Sequence, residues 1–465
     1  MLPTFQIVAR RRPVDLVAPT AVLVDETEPG DGSWPTPHPA PYAAVVAELD
    51  DPAAGRVELE LTGSGGTRFV GWYDGARAVG LDVTVGGSTT SHRSRRLGTT
   101  DGPATALALT LTGTHLTVLT RGGVVPGAGE WTVRGRYDLR DRFETRDEEW
   151  LASLRSGCRW VGGRASGPAL PSPVRRLTAG GFGQLGLRDV RLVSHVDGSP
   201  VVRDGRLLLT ATSAGPGFFD TAHTSVWALD PESLEVAHLA DLFFRRPDRS
   251  GVVFGDHATH LVRDGERWLV ATSTWADFDR RRNPRVGVTL AETTADLTTG
   301  RHVLDTRVLP LPTDGVRSVG VWDPHLVRTG NGWLVGYVSA SRFFRFHPML
   351  AAGPTLDDLT LRGAATDRVS TEGTTLAQLD GTWRVLASDG RDGRSGQRAR
   401  YPVLDLELDE IGELDAPYPT NIPWPTVVPH GAGWLLVTFD GTSYGGPLVG
   451  YGSHGDLVLA RGNTM

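Results

Sequence analysis

One pattern constrains this chain above all others: a hairpin-like unit that returns five times in its C-terminal part. The units are "VDGSPVVRDGRLLLTATSAG" from Val196, "GDHATHLVRDGERWLVATSTW" from Gly255, "WDPHLVRTGNGWLVGYVSA" from Trp322, "TEGTTLAQLDGTWRVLASDG" from Thr371 and "PWPTVVPHGAGWLLVTFDG" from Pro423. Each has a polar head, a short apolar run, a Gly-containing turn and a second apolar run of the form W-L-V or its equivalent. Self-similarity at a spacing of roughly 50 to 70 residues is the signature of propeller blades, each a four-stranded meander. Runs between the units, such as "SVWALD" and "RVGVTLAE", supply outer strands. The pattern predicts a five-bladed β-propeller over residues 176–465, with Trp268, Trp333, Trp383 and Trp434, which share one position in the repeat, in its core.

Residues 1–150 read differently. Short bursts of alternation such as "RVELELTG", "ALALTLTG" and "EWTVRGRYDL", broken by Gly, predict an antiparallel β-sandwich. With 58 Gly and 31 Pro in the chain, many short strands joined by tight turns are favoured over long helices. The charged stretch Tyr137–Gly157 reads as a short helix or ordered connection, and residues 151–175 as a linker. The fold class is therefore all-β.

Several functions are disfavoured by composition. A net charge of -7 supplies no basic field for nucleic acid. The absence of lysine excludes a lysine Schiff base and a phosphate-loop lysine. The single cysteine, Cys158, makes no internal disulfide and reads as a buried thiol. No window approaches the roughly 18 apolar residues of a membrane-spanning helix. The N-terminal apolar patch precedes its arginines, the reverse of a signal peptide, so a cytoplasmic location is expected unless a leader was removed. Oligomeric state leaves no mark in the sequence. A G-x-S-x-G match around Ser443 lacks the following helix that a nucleophile elbow needs.

The heads of the units carry Asp197, Asp256, Asp323 and Glu372; the fifth offers Asn421 and Trp424. In a propeller the innermost strands line one channel, so acids far apart in sequence converge at one mouth. Unpaired carboxylates there repel each other and are costly to desolvate. Glycoside hydrolysis needs such a set: one acid protonated for the leaving group, another ionised as base or nucleophile, a third to raise the first acid's pKa. Hard cations are the rival occupants, and His257, His260 and His325 beside the acids suit a softer metal. No metal ligand set is assigned, and no cofactor is required; a structural calcium in the channel would be compatible with hydrolysis. Trp275, Trp322 and Trp424 are candidates to stack on sugar rings. His257, His325, Arg345 (with His347) and Arg391 are candidates for polar substrate contacts.

These motifs resemble the five-bladed glycosidases of families 43 and 32 and their relatives. "WDPHLVRTGNGWLV" is similar to the family-43 motif of the pKa-modulating acid, which implies that role for Asp323. "TEGTTLAQLDGTWRVLASDG" resembles the E-G-P stretch of the general acid, which implies that role for Glu372. The resemblance places the base one or two blades earlier, at Asp256 or at Asp197. Three departures stand out: Thr374 replaces the proline of E-G-P, Ala258 occupies the D-P aspartate position two places after Asp256, and an extra acid-bearing unit with Asp197 comes first. The resemblance implies a hydrolase of furanosides or pentose-containing glycans, inverting, with carbohydrate as its partner. It also makes the N-terminal module similar to lectin-like sandwiches. A lyase or cyclase of secondary metabolism and a non-catalytic sugar-binding propeller are the alternatives.

Overall fold

A computed structural model describes residues 3–50, 55–122, 131–162, 172–379, 381–441 and 455–463. The protein is all-β, with one short α-helix, Glu148–Ala152, among the described residues. Among the described residues the strands form seven sheets: two of six strands toward the N-terminus and five that carry the recurrent units.

The innermost strands of those five sheets are Leu187–Leu192, His257–Asp264, Val321–Thr329, Thr371–Leu379 and Thr426–His430. An apolar doublet explains how they pack. Successive residues of a strand face opposite sides, so Leu261 meets the first sheet and Val262 the third. Likewise Leu326 faces the second sheet and Val327 the fourth. Leu192 and Val193 divide between the fifth sheet and the second. The fourth and fifth sheets share Leu386, Val403, Val427 and Leu436. Each sheet thus packs against the next, and the fifth returns to the first. Burying each such Leu or Val contributes roughly 1.5–3 kcal/mol. Of the recurrent tryptophans, Trp268 and Trp333 are buried in these clusters, and Trp383 and Trp434 pack against them half-buried.

Strand pairing draws the boundaries elsewhere than the sequence reading did. Thr4–Arg11 pairs with Asp456–Asn463 as the outer strand of the fifth sheet, so the two ends of the chain share a sheet. The stretch expected as a linker contains Arg155–Gly162, which pairs with Gly55–Gly63, and leads into Val174–Gln184, which pairs with Tyr42–Leu49. The reason is visible in "RSGCRWVG": Ser156 and Cys158 face inward, and only short runs separate them from polar neighbours. Cys158 is buried as expected, and burial pushes its thiol pKa up to about 12. The helical expectation for Tyr137–Gly157 reduces to Glu148–Ala152. Asp147 caps it through the Trp150 N–H at 2.8 Å, and the Trp150 indole donates to Thr67 Oγ1 at 2.8 Å.

The two N-terminal sheets share one core, with Leu59, Phe69 and Leu81 against Val45, Leu109 and Val118. The reverse face of the second of these sheets docks on the ring: Tyr42, Ala44 and Ala108 pack with Phe243 and Val253 of the first ring sheet. The Tyr42 hydroxyl donates to the Ala222 carbonyl at 2.6 Å.

Candidate active site

Four of the inner strands open in the same way. Their register to the second strand shifts between Arg188 and Arg191, His257 and His260, Trp322 and His325, and Glu372 and Thr375. Each shift is a β-bulge, which turns a side chain out of the pleat. At its centre sits a residue in the left-handed region: Asp189 (φ 50°), Ala258 (φ 59°), Asp323 (φ 57°) and Gly373 (φ 72°). The conformation costs a non-glycine residue roughly 1–2 kcal/mol, and such strain persists where the surroundings over-determine it. Gly373 has a second reason. A Cβ there would lie 2.4 Å from Cδ1 of Trp424.

The bulges align four sequences, R-D-V-R-L-V from Arg188, H-A-T-H-L-V from His257, W-D-P-H-L-V from Trp322 and E-G-T-T-L-A from Glu372. The acid step of the pattern is Asp189 in the first sheet and Asp323 in the third. It is empty of acid at Ala258, and in the fourth sheet Glu372 stands one place earlier. Asp189, Asp323 and Glu372 all line one cavity of about 310 Å³. Its walls are aromatic: Phe219 stacks on Trp275 at 4.6 Å, and Trp275 meets Trp322 edge-on at 5.2 Å. Trp424 and Phe346 line it too, so the three candidate tryptophans converge here.

Glu372 and Asp323 both feel neighbouring acids. Burial, then the charge of Asp189, raises the Glu372 pKa to about 7; Arg188 and the indoles of Trp322 and Trp424 oppose the rise. Asp323 is raised well above the usual carboxylate range, first by burial and then by Glu372. Arg191 and the Gly373 N–H pull it back. The site therefore keeps a protonated carboxyl near neutrality beside a second acid, the condition for general acid–base chemistry.

Below the acids the channel is filled by the next residue to point inward from each strand. Arg191, fully buried, donates to the Asp323 carbonyl at 3.0 Å and to the Thr374 carbonyl and Thr375 Oγ1, each at 3.1 Å. It lies 4.5 Å from the Trp424 ring, and burial lowers its pKa to about 10. His260 and His325 stack at 4.0 Å, and burial keeps both well below the usual histidine pKa. His260 Nδ1 accepts from Leu326 N at 3.0 Å, and His325 Nδ1 from Leu376 N at 3.4 Å. A channel calcium does not fit this set. The Arg191 guanidinium already bonds the third and fourth inner strands from the first, and the ring nitrogens that accept backbone N–H groups are committed.

Other candidates lie elsewhere. Asp256 is buried and held bidentately by Arg246, which also bonds Asp277 at 2.6 Å; the carboxylate faces its own ion pair and not the cavity. Asp197 is an exposed turn residue whose Oδ1 accepts from Ser199 N at 3.0 Å and Ser199 Oγ at 2.6 Å. It lines a different hollow, together with His325, Trp383 and Trp434. The sequence reading of these two as base candidates is thus not met by their positions: neither occupies the bulge step. His257 is buried behind the wall, with Nδ1 donating to the Gly255 carbonyl at 3.2 Å; burial lowers its pKa and Asp189 opposes that. Arg345 lines a separate basic hollow, and the Arg391 N–H donates to Asn421 Oδ1 at 2.8 Å on the rim. Ser443 lies outside the described residues.

Asp189, Arg188 and Arg191 were missed by the sequence reading. The signal was the R-D-V-R-L-V string itself, which parallels W-D-P-H-L-V. A second hollow of about 570 Å³ adjoins the cavity through Phe219, Phe278 and Phe344. Arg136, Asp138 and Arg140 of the N-terminal part form its far wall, with Arg140 bridging Asp220 at 2.7 Å and Asp279 at 2.9 Å.

No protein-family model and no curated protein sequence matches the chain. Among solved structures, it is similar to Zg3597, a family 117 glycoside hydrolase from Zobellia galactanivorans (11% identity, 60% of this chain and 84% of that one, TM-score 0.43). It is also similar to a GH43_1 enzyme from Xanthomonas citri (14% identity, 60% and 89%, TM-score 0.40). A third is an inulosucrase from Halalkalicoccus jeotgali bound to kestose (14% identity, 55% and 76%, TM-score 0.42).

Proposed function

We propose that the ring of sheets is a five-bladed β-propeller and that the protein is a glycoside hydrolase working at the Asp189–Asp323–Glu372 cavity. Glu372 donates its proton to the glycosidic oxygen as the bond to the anomeric carbon breaks. Asp189 takes a proton from the water that attacks that carbon. Asp323, steadied by the Gly373 N–H and the nearby guanidinium of Arg191, orients the sugar and holds the second proton-sharing position beside Glu372. The observation that carries this reading is the placement of the three carboxyls on the bulged heads of three separate sheets around one aromatic cavity.

A volume of about 310 Å³ is small for a ligand site and suits one sugar ring with a short aglycone. A pentose or furanoside cleaved from a chain end fits these dimensions, and inversion is the stereochemical course proposed for it. The test is a panel of aryl furanosides and pyranosides with wild type, Asp189→Asn and Glu372→Gln, the anomer of the first product being read by proton NMR. Loss of a general acid removes roughly 10²–10⁴-fold in rate. Full-rate turnover by Glu372→Gln sinks the assignment.

A second reading has an observation in its favour: Phe219, Phe278, Phe343 and Ile422 make the walls more apolar than sugar hydroxyls need. A lyase or cyclase of a small apolar substrate would use the same acids for proton transfer. Turnover in heavy-oxygen water separates the two, because only hydrolysis places solvent oxygen in the product.

A further inference from the structure

We infer that a basic hollow on the third ring sheet, formed by Arg317, Arg342, Arg345 and His347, is a binding site for an oxyanion group: sulfate, phosphate or carboxylate. It lies behind the same hairpin that walls the acid cavity. The strands Gly332–Arg342 and Arg345–Thr355 turn at Phe343 and Phe344, which line the acid cavity. Along the returning strand, alternation sends Phe346 into that cavity and Arg345 and His347 into the other, which encloses about 490 Å³.

Four observations point to an anion. Arg342 and Arg345 are direct cross-strand partners, and like charges so placed repel. Among the described residues no carboxylate lies within ion-pair distance of Arg317, Arg342 or Arg345. Elsewhere in the chain, buried and half-buried arginines such as Arg245, Arg246, Arg368 and Arg400 are held by carboxylates. Arg368 forms the floor of the hollow with its charge already met by Asp389, at 2.6 and 2.7 Å, and by Glu410. Finally, His347 is only 3% exposed, and its Nε2 has no hydrogen-bond partner among the described residues. A buried polar atom left unpaired costs roughly 1–3 kcal/mol. The acid that faces this histidine, Asp367, accepts from Gln397 Nε2 at 2.9 Å. An oxyanion would relieve the arginine repulsion, accept from the guanidinium forks and give Nε2–H an acceptor.

The inference goes beyond the hydrolase reading and does not depend on it. Its test is thermal melting of the full chain in sodium sulfate, sodium phosphate and sodium glucuronate against sodium chloride at equal ionic strength. Arg342→Ala/Arg345→Ala is compared with Arg95→Ala/Arg96→Ala, an exposed pair on the N-terminal part that makes the same charge change. At least one oxyanion is expected to raise the wild-type midpoint by about 2–4 °C over chloride. The increment should vanish in the first variant and survive in the second. A response to sulfate or phosphate assigns a free-ion site; a response to glucuronate alone assigns an acidic sugar. Equal increments in all three proteins, or none with any oxyanion, overturn the proposal.

Discussion

Asp189 and Asp323 occupy the same step of two inner strands, each in the left-handed region and each inside a bulge of the same register. Burial first, and then Asp189's charge, lifts the pKa of Glu372; burial first, and then Glu372 and Asp189, lifts that of Asp323. The sequence reading gave the lifting of Glu372 to Asp323. In the structure Asp189 is the stronger neighbour, while Asp323 is itself pressed toward the protonated form by burial.

The first prediction concerns rate and pH. Glu372 must hold its proton to act, and its pKa is about 7. Activity is expected to fall as pH rises through that value. In Asp189→Asn the neighbouring charge is gone, so Glu372 should lose its proton at lower pH. Carboxyl NMR of wild type and Asp189→Asn, with Glu372→Gln to assign the signal, reads the shift directly. An unmoved titration refutes the coupling.

Stability should depend on pH through the same group. Its ordinary pKa is 4.5 and its folded value about 7, so in that window the folded state holds a proton the unfolded chain has released. Stability therefore falls as pH rises from about 4.5 to about 7 and stays lower above it. Glutamine has no proton to lose. Glu372→Gln is expected to melt above wild type near pH 8, by on the order of 1–3 kcal/mol, and to match it near pH 4. A wild type that is more stable than the variant near pH 8 would contradict the burial cost.

Asp256 should behave as a structural acid. Asp256→Asn leaves the buried Arg246 with one partner of two, and breaking a buried pair costs roughly 3–5 kcal/mol. Chemical denaturation should show that loss. The folded fraction should keep kcat within a few-fold and an unchanged pH profile. A drop of two orders of magnitude in kcat at full folding would restore Asp256 as the base.

How much of this was legible follows from the repeat. Unit order, β class and the two acids Asp323 and Glu372 could be read because W-D-P-H-L-V and E-G-T-T-L-A each stand directly before a Gly turn and a W-L-V or W-R-V strand. The first sheet departs from that spacing. Its inner strand Leu187–Leu192 is separated from its partner Arg206–Ser213 by an excursion in which Ser194–His195 pairs with the second sheet. The unit was consequently read from Val196, and Asp197 took the place of Asp189. In the second sheet the acid step is Ala258, and the nearest acid, Asp256, was read in its stead. Pairing with Arg246 could not be seen, because the partner comes from the strand Val236–Arg246 of the preceding sheet. The L-V doublet was the better ruler, since its two residues must face two different sheets.

Arg191 supplies the last prediction. Its guanidinium donates to groups of the third and fourth sheets from the first, and it is buried against Trp424. Arg191→Lys keeps a charge but not the planar fork, so the Asp323 and Thr374 carbonyls cannot both be met. Arg191→Met removes the charge and leaves both carbonyls without that donor, at roughly 1–3 kcal/mol each. Both variants should unfold at lower denaturant. They should differ in titration: the Arg191 charge holds the Asp323 pKa down, so methionine, but not lysine, should let it rise further. An Asp323 carboxyl signal that titrates alike in the two variants would mean that the guanidinium ties sheets together without tuning the acid above it.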